Sequence, residues 1–213
     1  MLGKLLAVLM RNFFALLYHQ FAWAYDFVAA CVSLGMWKQW VKSTLPYLNG
    51  PRVLEIGHGP GHLLLAMAGK GLIATGLDES RWMGKIALKK IKETTTSTQL
   101  LNGYAQSLPF SKAAYNQIVT TFPSEFILEN ATLQEIRRVL VKNGSLIVLP
   151  YAWITGRRLS DRLARGLFYF TNQAPDWDDR FLAPFHLAGF QTEVKFIEQD
   201  RSTVVLIRAF KLD

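Results

Sequence analysis

The sequence predicts an α/β fold on a seven-stranded sheet, mostly parallel, with an antiparallel C-terminal hairpin and helices on both faces. Three observations carry that reading. Short apolar runs alternate with amphipathic helical stretches from residue 52 onward, an order that implies right-handed crossovers between parallel strands. The first run, Val53-Leu-Glu-Ile, ends in a glycine-dense turn, Gly57-His-Gly-Pro-Gly61, before helical sequence resumes. The last two runs, residues 191–198 and 202–209, are separated only by Gln199-Asp200-Arg201, as in a hairpin.

The chain has 213 residues, half of them hydrophobic, enough to bury a core without covalent staples. We expect a helical N-terminal extension or lid over residues 1–45 and one catalytic-type domain over residues 46–213, with a substrate-side insertion around 154–188. The single cysteine, Cys31, excludes an intramolecular disulfide and a cysteine-built zinc site, and is expected as a small buried residue in a reducing compartment. A formal charge of +8 points to an anionic partner: nucleic acid, a phospholipid surface or an acidic substrate. Lys and Arg form no tail, so the charge belongs to a folded surface.

Residues 1–40 hold nine of the 27 aromatic side chains. Leu5, Leu6, Leu9, Phe13, Leu16 and Leu17 recur at helical spacing, which predicts an amphipathic helix. Arg11 interrupts the apolar run too early for a membrane span, and the run lacks a small-residue cleavage site. A cytoplasmic protein is expected, its first helix either packed over the site as a lid or lying on a membrane.

Next come the elements that frame the glycine turn. Residues 72–78 read as a second strand ending at Asp78, and residues 80–93 as a helix with Met83, Ile86, Ala87 and Ile91 on its apolar side. Strands follow at 99–105, 117–122 and 145–149. A helix over 132–141 precedes the last of these, with Thr132 and Glu135 at capping-box spacing and Asn143-Gly144 as its stop. Glycines at 57, 59 and 61 permit positive φ and close backbone approach, and the next helix offers free N–H groups, so a nucleotide-like cofactor is expected. Asp78 follows at the distance where such folds place an acid on ribose hydroxyls. The dinucleotide fingerprint would need glycine at position 62, which is His62.

Val53-Leu-Glu-Ile-Gly-His-Gly-Pro-Gly61 resembles motif I of the class I S-adenosylmethionine-dependent methyltransferases. Gly76-Leu-Asp78 looks like their second motif, Gly103-Tyr-Ala-Gln-Ser-Leu-Pro-Phe110 their Gly-Asp-Ala-x-x-Leu-Pro-Phe segment, and Tyr115-Asn-Gln-Ile-Val119 their Phe-Asp-x-Val. Glu135 to Gly144 is similar to the helix and turn before their fifth strand. Tyr18-His-Gln-Phe-Ala-Trp-Ala-Tyr-Asp26 and Ser33-Leu-Gly35 resemble the ubiquinone/menaquinone biosynthesis-type group.

The resemblance implies a Rossmann-like fold and S-adenosyl-L-methionine as cofactor. Glu55 would serve its amino group; Gly57, Gly59 and Gly61 would make room for its methionine and ribose; Asp78 would hold both ribose hydroxyls. The Ala105 N–H would read adenine beside Tyr104, and Thr121 would line the methionine end. His58 joins the cofactor-binding set; a catalytic reading of His58 and His62 competes with solvent-facing or helix-start packing. Tyr18 and Tyr25 would face the sulfonium, or simply pack in the core.

Two family acids are replaced, by Tyr104 and Asn116. No metal is needed, no nucleophile elbow is present, and His19 and His186 are the candidate bases. Residues 154–170 carry Arg157, Arg158, Arg162 and Arg165 among leucines and phenylalanines, suited to an anionic membrane surface or to plain solvation. No nucleic-acid module is appended. The expected function is methyl transfer to a small, apolar or lipid-like acceptor; the alternative is a noncatalytic cofactor-binding or membrane-associated protein.

Overall fold

The computed structural model describes residues 25–92, 98–159, 161 and 178–212, and of Tyr25 the backbone alone. Strand β1 (Arg52–Ile56) is buried from its second residue onward. That follows from its place between two parallel neighbours, β2 (Ile73–Asp78) and β4 (Tyr115–Thr121), in a sheet covered on both faces. Beyond β2 lies β3 (Gln99–Asn102), and beyond β4 lies β5 (Leu140–Leu149), both parallel. The C-terminal strand β8 (Ser202–Phe210) runs antiparallel to β5 and pairs on its other side with β7 (Gln191–Gln199). The order β3-β2-β1-β4-β5-β8 reverses direction between β1 and β4, and open α/β sheets bind ligands at the carboxyl ends of such strands.

Alternation along the strands divides the core. Val53, Ala74, Val119, Ile147 and Leu206 face Val41 of α2 (Trp37–Lys42) and Leu63, Leu64 and Met67 of α3 (His62–Ala68). Leu54, Ile118, Leu146 and Ile207 face Leu133 and Ile136 of α5 (Asn130–Val139) and Phe185 of α6 (Ala183–Leu187). The two remaining helices are α1 (Tyr25–Val32) and α4 (Arg81–Lys92). Trp40 of α2 donates its indole N–H to Ser202 Oγ at 2.8 Å, fastening α2 to the tip of the β7–β8 hairpin.

The structure departs from the expectations in four places. An eighth strand, β6 (Ala152–Ile154), extends the sheet by pairing with Ser202–Val204, where the sequence suggested only the start of an insertion. The capping box is not made: Thr132 lies inside α5 with its hydroxyl buried and unbonded, and Glu135 instead binds Arg138 and the Leu108 N–H. The Asn143-Gly144 stop acts within β5, where residues 141–144 bulge opposite Asn116. There Asn143 takes φ +59°, while a Cβ on Gly144 would fall 2.8 Å from the Val141 carbonyl oxygen. Cys31 is exposed rather than buried, on the outer side of α1.

Among the described residues no helix is long and apolar enough to cross a membrane. The predicted N-terminal amphipathic helix, Tyr18, His19, and Arg162 and Arg165 of the insertion lie outside the described residues.

Candidate functional site

All three glycines of the turn after β1 take left-handed backbone conformations, Gly57 at φ +71°, Gly59 at +50° and Gly61 at +81°. Residues with a Cβ reach this region only at a cost, which is why the segment is glycine-dense. Gly57 N–H donates to the Leu77 carbonyl at 2.8 Å, tying the turn to the end of β2. A Cβ on Gly61 would come within 2.9 Å of the Ala87 Cβ, whereas one on Gly59 would meet nothing within 4 Å. Gly61 therefore serves helix packing, and Gly59 leaves space open beside the site.

Asp78 is buried at the end of β2 and orders the loops around it. Its Oδ2 accepts the Gly59 N–H and its Oδ1 the Ser80 N–H, each at 2.8 Å. One lone pair on each oxygen is thereby used, leaving others for hydroxyl donors. The Asn102 side-chain amide and the Gly103 N–H both bond the Asp78 carbonyl, which brings the 103–105 loop beside the carboxylate. Tyr104 projects from that loop with 64% of its surface exposed, while Ala105 is buried in the core.

A cleft at the switch point is lined by Glu55, Gly57, His58, Gly59 and Thr121, together with Trp37, Val41, His62 and Leu63. Glu55 is buried with Oε2 unbonded; burial, and then the charge of Asp78, hold its carboxyl well above the ordinary 4.5. His58 is likewise buried. Its Nδ1 lies 2.7 Å from the Gly59 carbonyl and must carry the proton, because a carbonyl only accepts. Its Nε2 is buried and unbonded, and burial holds its pKa below the ordinary 6.5 despite Asp78. Thus His58 is neither solvent-facing nor helix packing.

The second histidine does pack at a helix start. His62 Nε2 lies 2.9 Å from Asp26 Oδ1, and Lys90 Nζ donates to Asp26 Oδ2 at 2.8 Å, so α1 is pinned to α3 and α4 beside the turn. His62 and Lys90 hold the Asp26 carboxyl below the usual carboxylate range. His186 is on α6, bonded to Thr192, and does not line the cleft. Asn116 accepts the Arg52 N–H at the opposite end of the sheet, so the family acid it replaces bears on strand pairing there. Tyr18 lies outside the described residues, as does the side chain of Tyr25.

Sequence reasoning missed Trp37 as a residue lining the cleft. Trp37 stacks on Phe122 at 4.2 Å between ring centroids, with Trp40 6.1 Å from Phe122. Phe122 adopts φ +49° directly after Thr121, at the end of β4. Only the density of aromatics before residue 41 hinted at this.

A family model described as a methyltransferase domain matches residues 53–144. The domain match and the fold together support an S-adenosylmethionine-dependent methyltransferase of the class I type. It is similar to the demethylmenaquinone methyltransferase of Thermotoga maritima, 29% identical over 80% of this chain and 74% of that protein. It is also similar to a ubiquinone/menaquinone biosynthesis C-methyltransferase of Blochmanniella floridana, 28% identical over 67% of this chain but only 60% of that protein. Among solved structures, an S-adenosylmethionine-dependent methyltransferase of Methanococcus maripaludis superposes with a TM-score of 0.63. That pair covers 90% of this chain and 92% of the other at 20% identity, which supports the fold.

S-adenosylmethionine is the methyltransferase's cofactor. The residues present fit it: a glycine turn with open space at Gly59, a buried Asp78 with lone pairs to spare, and unbonded acceptor atoms on Glu55 and His58. The Glu55 carboxyl in the cleft and the Asp78 carboxylate bonded to Gly59 beside it also suit a ligand of net positive charge.

Proposed function

We propose that this methyltransferase acts on a small, apolar, lipid-like acceptor carrying an aromatic ring, of the quinone-precursor kind named for its Thermotoga and Blochmanniella relatives. The observation that supports this most is Trp37, which lines the cleft with Thr121 and stacks on Phe122. A flat ring lying against the indole gains dispersion and apolar burial.

When bound, the cofactor supplies a methyl group already activated by its sulfonium. The chain's task is then alignment and exclusion of water. Glu55 and Gly57 through Gly61 hold the amino-acid end, Asp78 the ribose hydroxyls, and the 103–105 loop with Tyr104 the adenine. Thr121 marks the methionine end, and Tyr18 and Tyr25 remain candidates to face the sulfonium. Val41 and Leu63 close the cleft on its helical side.

Arg157 and Arg158 are exposed directly after β6, beside Leu159, which is 78% exposed. This edge continues past the carboxyl end of β5, the end that bears the cleft. Basic side chains around an exposed leucine suit contact with an anionic membrane, where such an acceptor would reside.

A labelled-methyl assay on lipid and polar extracts of the host tests the proposal. Label in an aromatic lipid, lost or at least tenfold reduced in Trp37→Ala, is the expected result. Label only in polar metabolites contradicts it, and label in neither favours a binder without turnover.

A further inference from the structure

The cleft holds two buried side-chain atoms that bond to nothing: Oε2 of Glu55 and Nε2 of His58. The fixed geometry of the histidine determines what its free nitrogen can do. With Nδ1–H committed to the Gly59 carbonyl at 2.7 Å, Nε2 of the neutral ring carries only a lone pair. The ring lies against β2. Its Cδ2 packs so closely on β2 that a Cβ on Gly76 would lie 2.8 Å away, and the Leu64 side chain presses on the same glycine. His58 is thus a buried acceptor, oriented by its Nδ1 hydrogen bond, in a carboxyl-bearing cleft.

A buried acceptor without a donor costs free energy comparable to a lost hydrogen bond, so the pair calls for a ligand that brings several donors together. Nε2 accepts, Oε2 accepts once a cation beside it draws the proton off the carboxyl, and Asp78 adds negative charge nearby. A hydroxyl brings one donor and no charge. A primary ammonium brings three donors and a positive charge, and so satisfies both atoms at once.

Resting on the assignment of S-adenosylmethionine as cofactor, we infer that His58 Nε2 and Glu55 Oε2 together receive the cofactor's α-ammonium, with His58 as the neutral acceptor that orients it. Motif I would then read the amino group by a side chain inside the glycine turn, in addition to the acid before it. The consequence is a dependence of affinity on that amino group.

The test is a cycle of ligand and side-chain deletions read by calorimetry. S-adenosylhomocysteine and its analogue lacking the α-amino group are titrated into wild-type protein, His58→Phe and His58→Gln. The inference expects His58→Phe to weaken S-adenosylhomocysteine roughly 10- to 100-fold. The deaminated analogue should bind wild type and His58→Phe alike, and His58→Gln, which keeps an acceptor of similar reach, should recover much of the loss. An equal loss for both ligands would mean that His58 only supports the turn, and no loss for either would mean that it is idle; each overturns the inference. Should His58→Phe not fold, wild-type protein labelled at the imidazole nitrogens decides. The Nε2 resonance should shift with S-adenosylhomocysteine and stay in place with the deaminated analogue, and a shift common to both refutes the inference. If wild type binds S-adenosylmethionine and S-adenosylhomocysteine not at all, the cofactor assignment itself has failed, which is a different result from any of these.

Discussion

Asp26 Oδ1 sits 2.9 Å from His62 Nε2, joining the first described helix to the first residue of the helix that follows the glycine turn. Lys90 of α4 closes the same carboxylate from the other side at 2.8 Å. One acid thus fastens α1 to both helices that flank the cofactor turn. It is also the last residue of the Tyr-Asp pair by which the N-terminus resembles the quinone-type group.

Asp26→Asn should loosen this junction. Asp26 is 41% exposed at its side chain, so solvent screens the pair and the loss of stability should be modest, about 0.5–1 kcal/mol. Since the carboxyl is held below its ordinary 3.8, its stabilisation is present above that pH and disappears as pH falls through the lower folded value. Thermal melts of the two proteins should therefore differ at pH 7 and converge in strong acid. A constant gap down to the acid limit would show that Asp26 acts by shape and not by charge.

Glu55 gives the opposite sign. Its folded pKa lies above 4.5, so the folded protein binds the extra proton and loses stability as pH rises from 4.5 towards the raised value. Glu55→Gln removes that slope. Without cofactor the variant should be more stable than wild type at pH 8 by about 1–2 kcal/mol, while gaining much less from added S-adenosylmethionine. Melts with and without cofactor at pH 5 and pH 8 measure both effects. A variant that is less stable than wild type at pH 8 would refute the assignment of a strained, ligand-directed carboxyl.

The glycines of the turn should separate by role. Gly59→Ala has open space and meets only the cost of positive φ, about 1 kcal/mol. Gly61→Ala adds a 2.9 Å approach to Ala87 and should cost about 2 kcal/mol or more. Denaturant midpoints rank the two, and equal losses would contradict the packing role of Gly61.

Most of the frame was legible because it rests on local pattern. An apolar run ending in an acid and three spaced glycines dictates strand, turn and helix, and the alternation of strands and helices dictates the parallel order through β5. Asp78 was legible for the same reason, being fixed by its distance along one crossover. What was not legible depends on contacts remote in sequence. Asp26 and Lys90 are 64 residues apart, and nothing near either announces the other. His58 reads as a polar residue in a surface turn until β2 is seen to bring Gly76 beneath its ring. The capping-box spacing at Thr132 and Glu135 misled because α5 starts earlier, at Asn130, where Thr132 turns into the core and Glu135 finds a stronger partner in Arg138. Likewise β6 is three residues long and exists only because the β8 edge extends past β5.

The central claim is that the turn from Gly57 to Gly61, with Glu55 and Asp78, forms the S-adenosylmethionine site. Calorimetric titration with S-adenosylmethionine tests it most directly, using wild type and Gly59→Arg, whose side chain would fill the open space at Gly59. The account predicts saturable one-site binding to wild type and none to a folded Gly59→Arg. Absence of binding to wild type, or equal binding by both, would contradict it.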